Sequence, residues 1–490
     1  MNVKFLRSLT VFAVVLSICT VTFAQSSGFD TARMDRSVEA CDDFFQYANG
    51  TWLKNTQIPS TEARWGTFNM LADSNNAILK DLLDNAAKTK AREGTDTQLI
   101  GDFYATCMDE AAINKAGLDP IKPLLKNIDD VKSVKDLQEQ IAEMHDTGRP
   151  ALFSFGAGPD LKDSNVIIVQ GFQGGLSLPN RDYYTKDDAK SVEIRAKFVE
   201  YMGNMFKLLG DSPDTAAANA KAVMDMQMRL ANASLSPVEL RNPDNRYNKI
   251  SVAAAQELTP GFSWSDYFKE RDVPAVSEMN LAPVKFFREV DAMMKDIPVE
   301  NWKTYLRWMT INSTAPALAS QFADEHFNFF NRYLSGQKER QPRWKTCVQA
   351  TDGHLGEALG MEYAKKAFTP AAKARMNELI DNLMAAMKDR INGLEWMSPD
   401  TKKQAQAKLA TFKRKIGYPD VLRGYKGLDI ERDAYAANLF RSAKFQVKRN
   451  FDDLGKPRDK TRMGMTPPTV NASYSPQNND STFPASSLQP

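Results

Sequence analysis

The sequence predicts a mainly α-helical protein with few strands. Two observations carry that expectation. Apolar residues recur at i, i+3, i+4 and i+7 in segment after segment, the period of one helix face. Alternating, β-branched runs are confined to one short stretch and to the C-terminal part. The chain has 490 residues, 42% hydrophobic and 25% charged, a globular profile that excludes disorder, collagen and coiled coil. Its net charge of +2 gives no electrostatic reason to expect nucleic acid or an anionic membrane as a partner.

Residues 1–24 read as a secretory leader. Lys4 and Arg7 precede the uncharged apolar run Leu9–Val21, and Thr22-Phe23-Ala24 places small residues at the two positions a signal peptidase inspects. Cleavage after Ala24 is expected, and with it export to the periplasm or the extracellular space. An uncleaved signal anchor is the alternative and would leave the chain membrane-associated, although the run is short of the ~20 residues a spanning helix needs. Loss of Lys4 and Arg7 leaves 61 charges of each sign.

The mature chain then reads helix by helix. Ser74–Lys90 follows a Ser/Asn cap and aligns Ile78, Leu79, Leu82 and Leu83. Ser133 caps a helix with Leu137, Ile141 and Met144 on one stripe. Ser191–Leu209, Thr215–Leu230, Ala371–Ile391 and Pro399–Ile416 share the period, and Trp302, Tyr305, Leu306 and Met309 form a stripe expected in the core. Ala151–Phe155 and Val166–Val169 flank Gly156-Ala157-Gly158-Pro159 and suggest a hairpin turning there. Beyond Leu454 helical periodicity stops. The prolines of Thr466-Pro467-Pro468-Thr469-Val470-Asn471-Ala472 suit an extended edge segment.

Motifs for chemistry are missing. A zinc-binding HExxH needs two histidines at i and i+4, on one side of a helix turn. The three histidines, His145, His326 and His354, offer no such pair. No GxSxG elbow, papain-like cysteine context, GxxxxGK[ST] or GxGxxG segment occurs. After loss of the leader with Cys19, the remaining Cys41, Cys107 and Cys347 match no CxxC pattern, and an odd count leaves one thiol over.

Several segments nevertheless resemble one family. They are Cys41-Asp42-Asp43-Phe44-Phe45-Gln46-Tyr47-Ala48, Asn180-Arg181-Asp182-Tyr183-Tyr184, Pro342-Arg343-Trp344-Lys345, Leu355-Gly356-Glu357-Ala358-Leu359-Gly360, Trp396-Met397-Ser398, Lys415-Ile416-Gly417-Tyr418-Pro419-Asp420 and Met465-Thr466-Pro467-Pro468-Thr469-Val470-Asn471-Ala472. In this order they are similar to the neprilysin / endothelin-converting-enzyme zinc metallopeptidases, over essentially the whole mature chain. The resemblance implies a large helical lobe and a thermolysin-like catalytic lobe, incomplete here. The expected division is a segment 25–75 packing on the catalytic lobe, a helical lobe 76–400, and the start of the catalytic lobe at 401–490. It implies an exported endopeptidase that cuts oligopeptides with zinc as Lewis acid.

The family's HExxH and its glutamate ligand have no counterpart in this sequence, so no catalytic or metal residue is assigned. The chain alone is expected to be inactive and to hold no cofactor, with zinc a property of the full-length family. A separate chain carrying the catalytic half would then be a partner; the alternative is a non-catalytic peptide-binding protein. By resemblance, Asn471 and Ala472 hydrogen-bond the peptide backbone and Arg64 grips a terminal carboxylate. The ordinary readings of these residues are a plain strand and a surface salt bridge. Also by resemblance, Cys107 and Cys347 form a disulfide, and Cys41 pairs with a cysteine this sequence lacks. Ser473, Met463, Asp480-Ser481-Thr482 and Ser487 stand where the family favours apolar or aromatic residues, which suggests relaxed constraint.

Overall fold

A computed structural model describes residues 30–488. The leader at 1–24 lies outside them. The chain divides into two units at Ile58/Pro59. In the smaller unit, Asp43 caps helix α1 (Phe44–Asn55) by accepting from the Gln46 amide, and Thr51 ties that helix to the Met34 carbonyl at 2.7 Å. Cys41 is exposed there, with no disulfide partner among the described residues.

The larger unit is mainly helical, as its periodicity implies. Its helices include α2 (Thr67–Lys88), α3 (Asp96–Met108), α4 (Val134–Asp146), α5 (Ala189–Leu208), α6 (Pro213–Ala233), α7 (Val299–Thr314), α8 (Arg343–Ala367), α9 (Pro370–Gly393), α10 (Pro399–Ala410) and α11 (Tyr435–Phe451). Ser133 caps α4 through a reciprocal capping box with Asp136. The α7 stripe Trp302, Tyr305, Leu306 and Met309 is fully buried.

The described residues build two hydrophobic cores. The first runs from Ile121 to Leu454 and centres on α4–α7. The second joins Leu79–Ile113, Val348–Phe368, Ile416–Tyr435 and Ala485, residues that precede and follow most of the first core in sequence. All three histidines sit in or against these cores. His145 bridges the Tyr267 hydroxyl at 2.6 Å and the Ala151 carbonyl at 2.8 Å. The carbonyl needs the Nε2 proton, so Nδ1 accepts from Tyr267, whose oxygen accepts in turn from Arg271 at 2.8 Å. Burial first, and then the Arg271 charge, holds His145 neutral with a pKa of about 3.

Two sheets interrupt the helices. In the first, β1 (Phe153–Pro159) pairs antiparallel with β2 (Ile167–Gln173). Strand β2 runs parallel to β4 (Glu278–Ala282), which pairs antiparallel with β3 (Lys249–Ser251). The hairpin exists but turns at residues 160–166; Gly156-Ala157-Gly158-Pro159 is strand, not turn. Its glycines serve close approach: a Cβ on Gly156 would meet Asn450 Oδ1 at 3.0 Å, and one on Gly158 would meet Gln170 at 2.9 Å. Asn450 of α11 pairs with both backbone groups of Ala157, at 2.7 and 2.9 Å, and so covers part of the sheet edge.

The second sheet has the order β5-β7-β6, with β5 (Lys413–Gly417) parallel to β7 (Asp480–Pro484) and β6 (Ser473–Ser475) antiparallel to it. Three sequence expectations are corrected. Helix α10 stops at Ala410, and Ile416 lies in β5: Phe412 and Ile416 satisfy a helical spacing equally well, so periodicity could not separate the two. Helix α2 begins at Thr67, not after a Ser74 cap. Asn75 lies inside it, buried, and bonds to Tyr363 at 2.6 Å. The edge strand is Ser473–Ser475, whereas 466–472 is a turn-bearing lead into it.

Cys107 of α3 and Cys347 of α8 form a disulfide across 240 residues of sequence. In the chain-entropy model a loop of that size contributes about 5 kcal/mol, and measured losses run at about 2–5 kcal/mol. Cys347→Ser should therefore lower the denaturation midpoint markedly, and reductant should do the same to the parent chain. A midpoint indifferent to both would contradict this role.

Candidate functional site: a sheet edge held by helix α8

Helix α8 reaches the edge through two glycines. A Cβ on Gly356 would lie 2.3 Å from Thr466 Cγ2, and one on Gly360 would lie 2.4 Å from Pro467 Cδ. The i, i+4 spacing places both on one helix face, where the chain at 466–467 rests against bare backbone. Non-helical dihedrals at Leu355 kink α8 just before this contact. The Thr466 hydroxyl donates to Asp352 Oδ2 at 3.1 Å, while Asp352 Oδ1 is buried without a partner. Burial raises the Asp352 carboxyl to about 6, against which the Thr466 bond acts.

From Pro467 the chain is pinned to the short helix Ala485–Leu488. The Ser486 amide donates to the Pro467 carbonyl at 3.0 Å. Ser487 Oγ accepts from the Asn471 amide at 2.8 Å and donates to the Asn471 carbonyl at 2.7 Å. The Asn471 side-chain oxygen accepts from the Ala472 amide at 2.8 Å. Asn471 and Ala472 are thus exposed yet fixed, immediately before edge strand β6. Ser487, read in the sequence as a relaxed apolar position, has a specific role here that no local pattern announces. Asp480, 2% exposed in β7, has an ion partner in Lys415 of β5 at 2.6 Å, although its buried Oδ2 accepts no hydrogen bond.

Arg64 lies on the loop before α2, exposed, with no hydrogen bond or ion pair among the described residues. Beside it Lys345 of α8 binds Glu62 at 2.8 Å and also pairs with Asp73. Burial pulls the lysine pKa down, but the two carboxylates outweigh it and hold the pKa above its ordinary value. Asn75, about two turns into α2, donates to the Ser486 carbonyl at 3.5 Å. One chain of contacts therefore links the element that carries Arg64 with the segment that holds Asn471.

The site has no metal set. His145 and His326 are neutral core residues, His326 at about 4 through burial alone. His354 bonds Ser442 Oγ at 2.5 Å. The described residues contain no group of three or more potential ligands that could hold a metal ion. The side chains described at this site do not fit zinc.

The sequence profile described as Peptidase family M13 matches residues 40–419. The chain belongs to peptidase family M13. This is the neprilysin / endothelin-converting-enzyme family of zinc metallopeptidases, which act on peptides. The M13 chain is 30% identical over 475 residues to endothelin-converting enzyme 1 of Rattus norvegicus, covering 93% of this chain and 62% of that relative. It is 30% identical to an endothelin-converting enzyme homolog of Locusta migratoria, covering 97% and 68%. The inhibitor complex of Mycobacterium tuberculosis zinc metalloprotease Zmp1 superimposes with a TM-score of 0.91 at 32% identity, over 95% of this chain and 70% of that one. The chain thus spans less than two thirds of the length of the first of these relatives.

Two outcomes test the geometry. Gly360→Ala should cost about 1–3 kcal/mol, the usual penalty of overpacking, and should speed amide exchange at Asn471; unchanged exchange would separate Asn471 from α8. Asp352 has a folded pKa above its unfolded 3.8, so the native state binds more protons between about pH 4 and 6. Its contribution to stability therefore falls as pH rises through that window. Asp352→Asn should remove that slope and stabilise the chain above pH 6, on the order of 1 kcal/mol; parallel stability–pH curves would refute it.

Proposed function

We propose that these 490 residues are the substrate-handling part of an exported M13 zinc endopeptidase for oligopeptides, and that by themselves they neither hold zinc nor cleave. The observation that carries this reading is the edge strand β6, whose lead-in Asn471-Ala472 is fixed through both Asn471 backbone groups. A strand fixed on one side and, among the described residues, unpaired on the other accepts an extended peptide at low ordering cost. Exposed Arg64, without an ion partner among the described residues, suits the peptide's terminal carboxylate in a bidentate clasp. The division into a segment 25–75, a helical lobe 76–400 and a catalytic-lobe start at 401–490 accompanies this proposal, as does export by the leader. The sequence contains no HExxH, so the water-activating chemistry is assigned to residues outside these 490, on this polypeptide or on a second one.

The test uses the purified 490-residue chain with added zinc. The expected outcome is no stoichiometric zinc and no cleavage, but measurable binding of an oligopeptide with a free C-terminus. Arg64→Ala should weaken that binding about tenfold, the value of one charge-assisted contact, and leave a C-amidated peptide unaffected. Stoichiometric zinc with peptide cleavage would overturn the inactivity, and an indifferent Arg64→Ala would overturn the carboxylate role.

A further inference from the structure

We infer that the cavity over one face of the β5-β7-β6 sheet is a pocket for an acidic side chain of the bound peptide, held by Arg458 and Lys456. The inference rests on the peptide-binding role of β6 and adds what that strand selects. The cavity measures about 370 Å³, within the range of small-ligand pockets. Its floor is a single face of the sheet. Ser473 and Ser475 of β6 line it, as do their register partners Thr482 and Asp480 in β7 and, beyond Thr482, Lys415 of β5. Side chains alternate across a strand, so Tyr474 falls on the opposite face. A peptide paired to the outer edge of β6 must place every second side chain over this same face.

The charges around the cavity decide what such a side chain should be. Each carboxylate on its wall already has a cation. Asp480 is paired with Lys415 at 2.6 Å. Asp453 takes Arg462 at 2.5 Å and Arg423 at 3.3 Å. Asp459 accepts from the Thr461 hydroxyl at 2.6 Å and pairs with Arg462 at 3.2 Å.

Two lining cations have no carboxylate of their own. The guanidinium of half-buried Arg458 has only a long contact, 3.4 Å, to the Ser164 carbonyl. Partial burial lowers its pKa, and the neighbouring Asp480 carboxylate, which lies closer to Lys415, offsets only part of that. Lys456 is exposed at the rim, with no ion partner among the described residues. A carboxylate entering over Ser473 and Ser475 would supply the missing anion, and the planar guanidinium can take it in a two-pronged contact. A cationic side chain would meet Arg458 and Lys456 unshielded.

The test is a set of capped hexapeptides, N-acetylated and C-amidated, with one Glu walked along an alanine–valine background. Each is paired with its Gln twin and titrated against the 490-residue chain. Amidation removes the terminal carboxylate, so that any anion preference belongs to the side chain. At one register Glu should bind about tenfold tighter than Gln. The preference should vanish in Arg458→Gln, shrink in the exposed and fold-neutral Lys456→Gln, and fade with salt, while affinity for the Gln twin stays constant. Equal binding of Glu and Gln at every register overturns the pocket and leaves the peptide role of β6 standing. So does a preference that survives both substitutions. If no peptide binds at all, the peptide role fails and the pocket with it.

Discussion

The region depends on one close approach, of the segment at Thr466-Pro467 to the backbone of helix α8 at Gly356 and Gly360. Nothing larger than hydrogen fits there. The same helix carries the disulfide to α3, the buried Lys345 between Glu62 and Asp73, and the Tyr363 hydroxyl bonded to Asn75. Helix α8 is therefore the common wall against which α2, α3 and the lead into the C-terminal sheet are all registered. Its kink at Leu355 lies between Cys347, bonded to α3, and the two glycines that meet the proline-rich segment.

The lead into edge strand β6 is built on that wall with little regular structure. Residues 466–472 contribute no strand; they are positioned by a hydroxyl–carboxylate contact at one end and by Ser487 at the other. Few hydrogen bonds hold many exposed atoms, so this precision is inherited from α8 and from the buried Lys415–Asp480 pair beneath it. A buried ion pair is a weak source of stability. This one joins β5 diagonally to β7, whose register with β6 runs from Ser473 opposite Thr482 to Ser475 opposite Asp480.

Much of the helical framework was legible because burial in a helix writes a period into the sequence. The capping box at Ser133–Asp136 and the α7 stripe are examples. Legibility ended where one residue could serve two structures. Ile416 fits a helix stripe and a strand alike, and Asn75 looks like a cap but is a buried hydrogen-bonding group. Glycine misled at Gly156 and Gly158, which admit neighbouring side chains rather than turn the chain. At the candidate site the resemblance pointed to Arg64 and Asn471. The partners that hold Asn471 and the sheet were not legible, since Ser487, Asp352 and Lys415 act across 16, 114 and 65 residues respectively. The spacing Gly356–Gly360 was the one available clue, a pair of small residues on a single helix face.

The cysteine pair also has a consequence for the chain while it is being made. Cys107 emerges 240 residues ahead of Cys347. At about 5–20 residues per second that is an interval on the order of 10–50 s. Throughout it Cys41 is nearer along the polypeptide than the native partner, and it stays exposed in the finished fold. The correct crosslink can close only after nearly all of the first core has been synthesised. The neighbours that bury Cys107 in the finished fold include Val348, Leu355 and Leu359 of α8, which follow Cys347, so its burial is completed only as the crosslink becomes possible.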